Sequence, residues 1–372
     1  MNNSSLAYSH VNFTRWISSI ISPIILIGCA VGNTVSFLVL LRPRLRRQTT
    51  SIYLAVLCIA EMGTCYTGLL RQFLFDAFNL DIRTINSISC RVHIYLTYIF
   101  LRSTSLLLAL VTLQRYFYVS QRAVCSVTST CMQLLSVFLF VCFIELHLFA
   151  FYDLTYSDTR PRIEQIPFEC TVDTIRHRNY YHFRSKIYPK LALVMYTIIP
   201  LAIIIIGNVL LVRTVRQASR RSHCKTQKKR SVTRMLYAVS ILYTLLTSPA
   251  SIFLAIAPPS YQLAPAFRLQ WTLLRLLFYL CHSVNFILFC ASGTFFRQEF
   301  THFIYSKCVF RRQRREEMTY ETSIGVTTKY EEEIFNRSLR YKLNSDFSSS
   351  RSERPSPKVT STVHFENQPS FL

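Results

Sequence analysis

Residues 90–116 read CRVHIYLTYIFLRSTSLLLALVTLQRY. The central part, Ile94 to Leu113, is dominated by Leu, Ile, Val, Phe and Tyr. A run this long, apolar around its circumference, belongs to a helix that is buried or spans a membrane, not to an amphipathic surface helix. Cys90 marks its start and Gln114-Arg115-Tyr116 its end. From Cys90 to Arg115 the chain advances ~37 Å at 1.5 Å per helical residue, which puts one marker at each face of a bilayer.

Similar blocks recur along the chain. Hydrophobic residues make up 51% of the 372 and charged ones 16%, and the apolar residues are gathered rather than dispersed. The blocks are Ile17 to Leu41, Ser51 to Phe75, Ser89 to Val119, Thr130 to Phe151, Ile187 to Val212, Val232 to Ala257 and Leu269 to Ser292. Each is about as long as the ~20 residues that cross the hydrocarbon core. Backbone polar groups in lipid must be satisfied within the segment, so the blocks are helices. The expected fold is an all-α membrane protein, a seven-transmembrane helix bundle.

The net charge of +23 would suggest nucleic acid in a soluble protein, but its placement argues otherwise. Arg42, Arg44, Arg46 and Arg47 follow the first block, Arg213 to Arg230 separates the fifth from the sixth, and Arg311, Arg312, Arg314 and Arg315 follow the seventh. Basic residues mark cytoplasmic loops, so the N-terminus is expected outside, the C-terminus inside and membrane lipid, not nucleic acid, as the charge's partner. Asn2, Asn3 and Asn12 each open an N-glycosylation triplet on the outer side. No charged n-region or small-residue cleavage site precedes the first block, which is read as a retained signal anchor.

The third block, with its half-cystine outside and its arginine inside, resembles the third helix of rhodopsin-like G-protein-coupled receptors. Remnants of that family's motifs follow in order: Gly32-Asn33, Leu57 with Glu61 for the usual aspartate, Gln114-Arg115-Tyr116, Pro200, Pro249 behind Tyr243 and Thr247, and Asn285-Phe286-Ile287-Leu288-Phe289 where the family has Asn-Pro-x-x-Tyr. Phe296-Arg297-Gln298-Glu299-Phe300 resembles its short amphipathic eighth helix. The helix-six tryptophan is replaced and the helix-four one is missing, so the chain reads as a diverged member, nearest in pattern to invertebrate neuropeptide receptors. The resemblance implies a polar hub of Asn33, Glu61, Thr104 and Asn285, and coupling to a heterotrimeric G protein through Gln114, Arg115 and Tyr116. Of twelve cysteines, only Cys90 and Cys170 fall on the oxidising side, and a disulfide between them is expected to tether the loop between helices four and five. Cys308, after the eighth helix, is a palmitoylation candidate.

Three divisions are expected: an extracellular N-terminus 1–16, a receptor domain 17–304, and a disordered cytoplasmic tail 305–372 rich in Ser, Thr, Arg and Glu. Tail serines offer arrestin-binding phosphosites, and Ser370-Phe371-Leu372 resembles a PDZ-binding terminus. The alternative function, a transporter or channel, would show repeat symmetry or broken helices in pairs. No hydrolase, metalloprotease or phosphate-loop motif is found, so no enzymatic activity, cofactor or metal is expected. Within the receptor class, the absence of lysine from helix seven excludes retinal, and Thr97 stands where amine receptors carry aspartate. Arg71 and Arg275 each lie ten residues outward from a hub residue. With no acidic residue counted in the outer half of either helix, the two are expected to hold an anionic group of the ligand, a peptide or small molecule. Arg102 and Glu145, at one depth on adjacent helices, are expected to pair.

Overall fold

The computed structural model describes residues 3–120, 126–156, 168–221, 226–257, 261, 265–305 and 337, with backbone alone for 3–11, 218–221, 226–236 and 265. Helix α1 runs Asn3–Leu40, α2 Thr49–Phe78, α3 Ser87–Val119, α4 Val127–Phe151 and α5 Arg178–Gln217. Helix α6 spans Thr226–Ile256, and α7 comes in two pieces, Pro265–Ser283 and Asn285–Ser292. A last helix, α8, covers 294–305. Among the described residues six helices are long and apolar enough to cross a membrane, and the bent pair of α7, taken as one span, makes a seventh. α3 packs against α2, α4 and α5, while α7 packs on α6 and α1 and so closes the ring. Outward-facing side chains such as Phe143 and Ile24 are 77% and 66% exposed, which suits contact with lipid rather than water.

Local chemistry fixes the helix ends. Asn86 Oδ1 accepts from Ser89 N at 2.7 Å at the head of α3, and Ser126 Oγ accepts from Ser129 N at 3.0 Å at the head of α4, each satisfying a donor the first turn leaves open. α2 stops where Asn79 adopts φ 57°; Asn79 N and Leu80 N then return to the carbonyls of Phe75 and Leu74, a left-handed cap that asparagine tolerates. α1 reaches beyond its apolar block because Thr14, Ser18, Ser22, Ile25, Cys29, Asn33 and Ser36 form one buried stripe at three- and four-residue spacing. Small residues on such a stripe let neighbouring helices approach closely.

α7 bends by 47° at its break although no proline occupies Asn285-Phe286. Asn33 Nδ2 donates to the carbonyl of His282 at 2.9 Å. A side chain drawn onto a ladder carbonyl is a recognised cause of a kink. Two departures from the expected spans concern the loop between α4 and α5. Tyr152–Tyr156 (β1) and Phe168–Val172 (β2) form an antiparallel hairpin with Leu154 opposite Cys170, so the bundle carries a small sheet. α5 begins at Arg178, nine residues before the apolar block at Ile187, because a helix continues into polar sequence once it leaves the hydrocarbon.

Among the described residues three π-helical turns interrupt the helices: Cys65–Leu70 in α2, and Phe183–Ile187 and Val194–Ile198 in α5. Each inserts an extra residue into the ladder and re-aims the side chains on one side of the turn relative to those on the other.

Candidate functional site

A cavity of about 620 Å³ lies among α2, α3, the hairpin, α5, α6 and α7. It sits at the end of the bundle where the Cys90 and Cys170 sulfurs are bonded, with Cα atoms 5.5 Å apart; that bond pins β2 to the start of α3. All three π turns contribute to its wall, through Thr67 and Gly68, Arg184, and Tyr196 and Thr197. Gly68 is required there: a Cβ would collide with the Tyr279 hydroxyl of α7.

Arg71, Thr97 and Arg275 line the cavity. The expectation that the two arginines are un-neutralised is overturned. α2 runs one turn beyond its apolar block and therefore carries Asp76, whose Oδ2 stands 3.7 Å from Arg275 Nη2. The cap at Asn79 folds the chain back so that Asp81 receives Arg71 through Nε at 3.0 Å and Nη2 at 2.6 Å. Arg83 joins the same carboxylate at 2.8 Å. Burial pushes the Asp81 carboxyl up, but the two guanidiniums outweigh it and hold it well below the usual carboxylate range. Thr97 spends its hydroxyl on the His93 carbonyl at 2.7 Å.

Arg102 and Glu145 face one another between α3 and α4, Nε to Oε1 3.7 Å. Glu145 is fully buried and also accepts from Tyr188 of α5 at 2.5 Å. Arg102 lies over the ring of Tyr196 at 4.7 Å. Beside it, Arg184 Nη2 donates to the Tyr98 hydroxyl, and its guanidinium lies 4.6 Å from the Tyr188 ring centre, 5.3 Å from Tyr98 and 6.0 Å from Tyr152. Nothing in the sequence alone singled out Arg184; its place one turn before the apolar block at Ile187 was the available signal.

Deeper in the bundle, Asn285 Nδ2 donates to Glu61 Oε1. His282 is fully buried with Nδ1 3.9 Å from the same oxygen. Asn33 reaches this group through the His282 carbonyl and the Cys29 sulfur. Thr104 is buried but turns its hydroxyl onto the Leu101 carbonyl at 2.8 Å, so the group standing against Glu61 is His282 and not the threonine.

At the far end of α3, Gln114 and Arg115 are buried and Tyr116 is half-buried. Gln114 donates to Thr49 Oγ1 at 2.5 Å and accepts from Thr50 Oγ1 at 3.2 Å. Arg115 has the Tyr118 ring 5.5 Å away, and its Nε finds no hydrogen-bond partner. α8 is fastened at this end: Glu299, 3% exposed, takes Arg42 at 3.5 Å and Arg44 at 3.4 Å. Among the other expected sites, Asn12 is exposed on α1. The Asn3 side chain, Asn2, Cys308 and the tail serines lie outside the described residues.

A ring of apolar helices with a polar cavity near one end and a buried arginine at the other is the architecture of a multi-pass membrane protein. The chain belongs to the rhodopsin family: the family model described as 7 transmembrane receptor (rhodopsin family) matches residues 32–290. No curated protein matches the chain. Membership makes it a plasma-membrane signalling receptor and not an enzyme, with an extracellular ligand and a heterotrimeric G protein as its partners.

Proposed function

We propose that this receptor answers a neuropeptide, with the N-terminus and the disulfide end outside the cell and Arg115 on the cytoplasmic side. The observation that carries the reading is the cavity. Its volume of about 620 Å³ falls in the range of drug-sized ligand sites, which suits the terminal residues of a peptide. Its wall mixes arginines and tyrosines with Trp271 and Phe278, groups that suit a ligand both polar and aromatic. Arg71, Thr97 and Arg275 face the ligand from α2, α3 and α7. Gln114, Arg115 and Tyr116 serve the G protein, with Asn33, Glu61, His282 and Asn285 as the polar link between the two ends. Glycans at Asn2, Asn3 and Asn12, a palmitoyl group on Cys308, and arrestin and PDZ contacts of the tail complete the proposal.

The test is nucleotide exchange on purified G proteins of each class, with membranes carrying the full chain. Basal exchange above that of empty membranes, raised further by a peptide fraction, is the expected result. Absence of both basal and stimulated exchange with every class would sink the reading.

A further inference from the structure

The arginines of the cavity narrow the ligand's chemistry, an inference that rests on the receptor reading of that cavity. Five reach its wall: Arg71, Arg83, Arg102, Arg184 and Arg275. Four are already committed. Asp81 takes Arg71 and Arg83, Asp76 faces Arg275, and Glu145 faces Arg102. Among the described residues no carboxylate stands within ion-pair distance of Arg184, although Glu169 lines the same cavity; the Arg184 guanidinium is flanked by the faces of Tyr98, Tyr152 and Tyr188 and bonded to the Tyr98 hydroxyl instead.

Aromatic faces hold a cation in place through their quadrupoles without cancelling its charge. The guanidinium carries five N–H donors; one goes to Tyr98, while the buried Nε has no partner. Tyr98 accepts from Arg184, which leaves its own O–H proton free of any acceptor among the described residues. Nearby, the Tyr196 hydroxyl is also unpartnered and shares the wall. The corner formed by Tyr98, Tyr152, Arg184, Tyr188 and Tyr196 thus presents donors and one uncancelled positive charge. A buried donor without a partner is costly, so the corner gains most from a ligand group that is all acceptor.

We propose that Arg184, framed by Tyr98, Tyr152 and Tyr188, anchors a single carboxylate on an aromatic or amphipathic ligand. One uncompensated guanidinium matches one negative charge, which favours a carboxylate over a doubly charged phosphate. The planar fork takes the two oxygens together, and the flanking rings pack against the attached apolar group. Arg71 and Arg275, held by their own aspartates, shape the opposite wall and do not carry the anion.

The experiment uses the full-length receptor in detergent and two matched probes, 3-phenylpropionate and its neutral amide, with the thermal unfolding midpoint as readout. The acid is expected to raise the midpoint at millimolar concentration and the amide to leave it in place. Arg184→Gln should raise the acid concentration needed by about tenfold or more. Arg184→Lys, which keeps the cation and loses the fork, should show an intermediate effect and serves if the glutamine variant does not fold. Equal stabilisation by acid and amide, no stabilisation by the acid, or an undiminished acid effect in the folded variants would each overturn the assignment. Nucleotide exchange on the same preparation, basal and peptide-stimulated with each G-protein class, separates the two proposals. Exchange without acid preference removes the carboxylate site alone, and acid preference with neither basal nor stimulated exchange for any class removes the receptor reading alone.

Discussion

Arg115 is 5% exposed, bounded by Tyr118 and, among the described residues, without a carboxylate partner, while the residue before it spends its amide on two threonines of α2. In receptors that this chain resembles, an acidic residue at that position restrains the arginine in the inactive state. A restraint worth ~1 kcal/mol changes the active fraction about fivefold. Elevated basal signalling is therefore expected, and Gln114→Asp should lower it about fivefold at equal surface expression; identical basal signalling in parent and variant would count against this. Arg115 was legible in the sequence because a charge closing an apolar span has few explanations. Asp76, Arg184 and His282 were not. Their meaning depends on which face of a helix they occupy and on the partner across the gap, and hydropathy carries neither.

Among the elements, α3 does the most joining, and Glu145 shows how. Fully buried on α4, it faces Arg102 of α3 and accepts from Tyr188 of α5, so one carboxylate ties three helices. Removing one partner of a buried pair strands the other charge and costs about 3–5 kcal/mol. Glu145→Ala should reduce surface expression severely. The double exchange Arg102→Glu with Glu145→Arg should recover part of it, since the tyrosine oxygen can accept from the relocated guanidinium. No recovery, measured by surface labelling against total protein, would mean that the two do not act as partners. The seven spans themselves were readable, because ~20 apolar residues in succession have no other common use. The hairpin was not, its strands being five residues each and held partly by the Cys90–Cys170 bond. Nor were the π turns, which leave composition unchanged and shift only the angular register.

For the molecule as a whole, the run Arg42, Arg44, Arg46 and Arg47 lies at the end where Glu299 holds Arg42 and Arg44. On the positive-inside principle that end is proposed to face the cytosol. An epitope fused ahead of Met1 should be stained on intact cells and one fused after Leu372 only after permeabilisation; the reverse pattern would invert the proposed orientation and move the cavity to the wrong side for an external ligand. The turn Phe183–Ile187 gives this architecture a mutational consequence. A π turn holds one residue more than the α-helix it interrupts, so loss of a single codon within it would restore the regular ladder and re-aim the side chains of the turn itself. Arg184 lies inside that turn. A deletion of three nucleotides would therefore swing the cation out of its tyrosine frame while the transmembrane part of α5, beyond Tyr188, kept its packing, a short evolutionary step from one ligand preference to another that no single substitution reproduces.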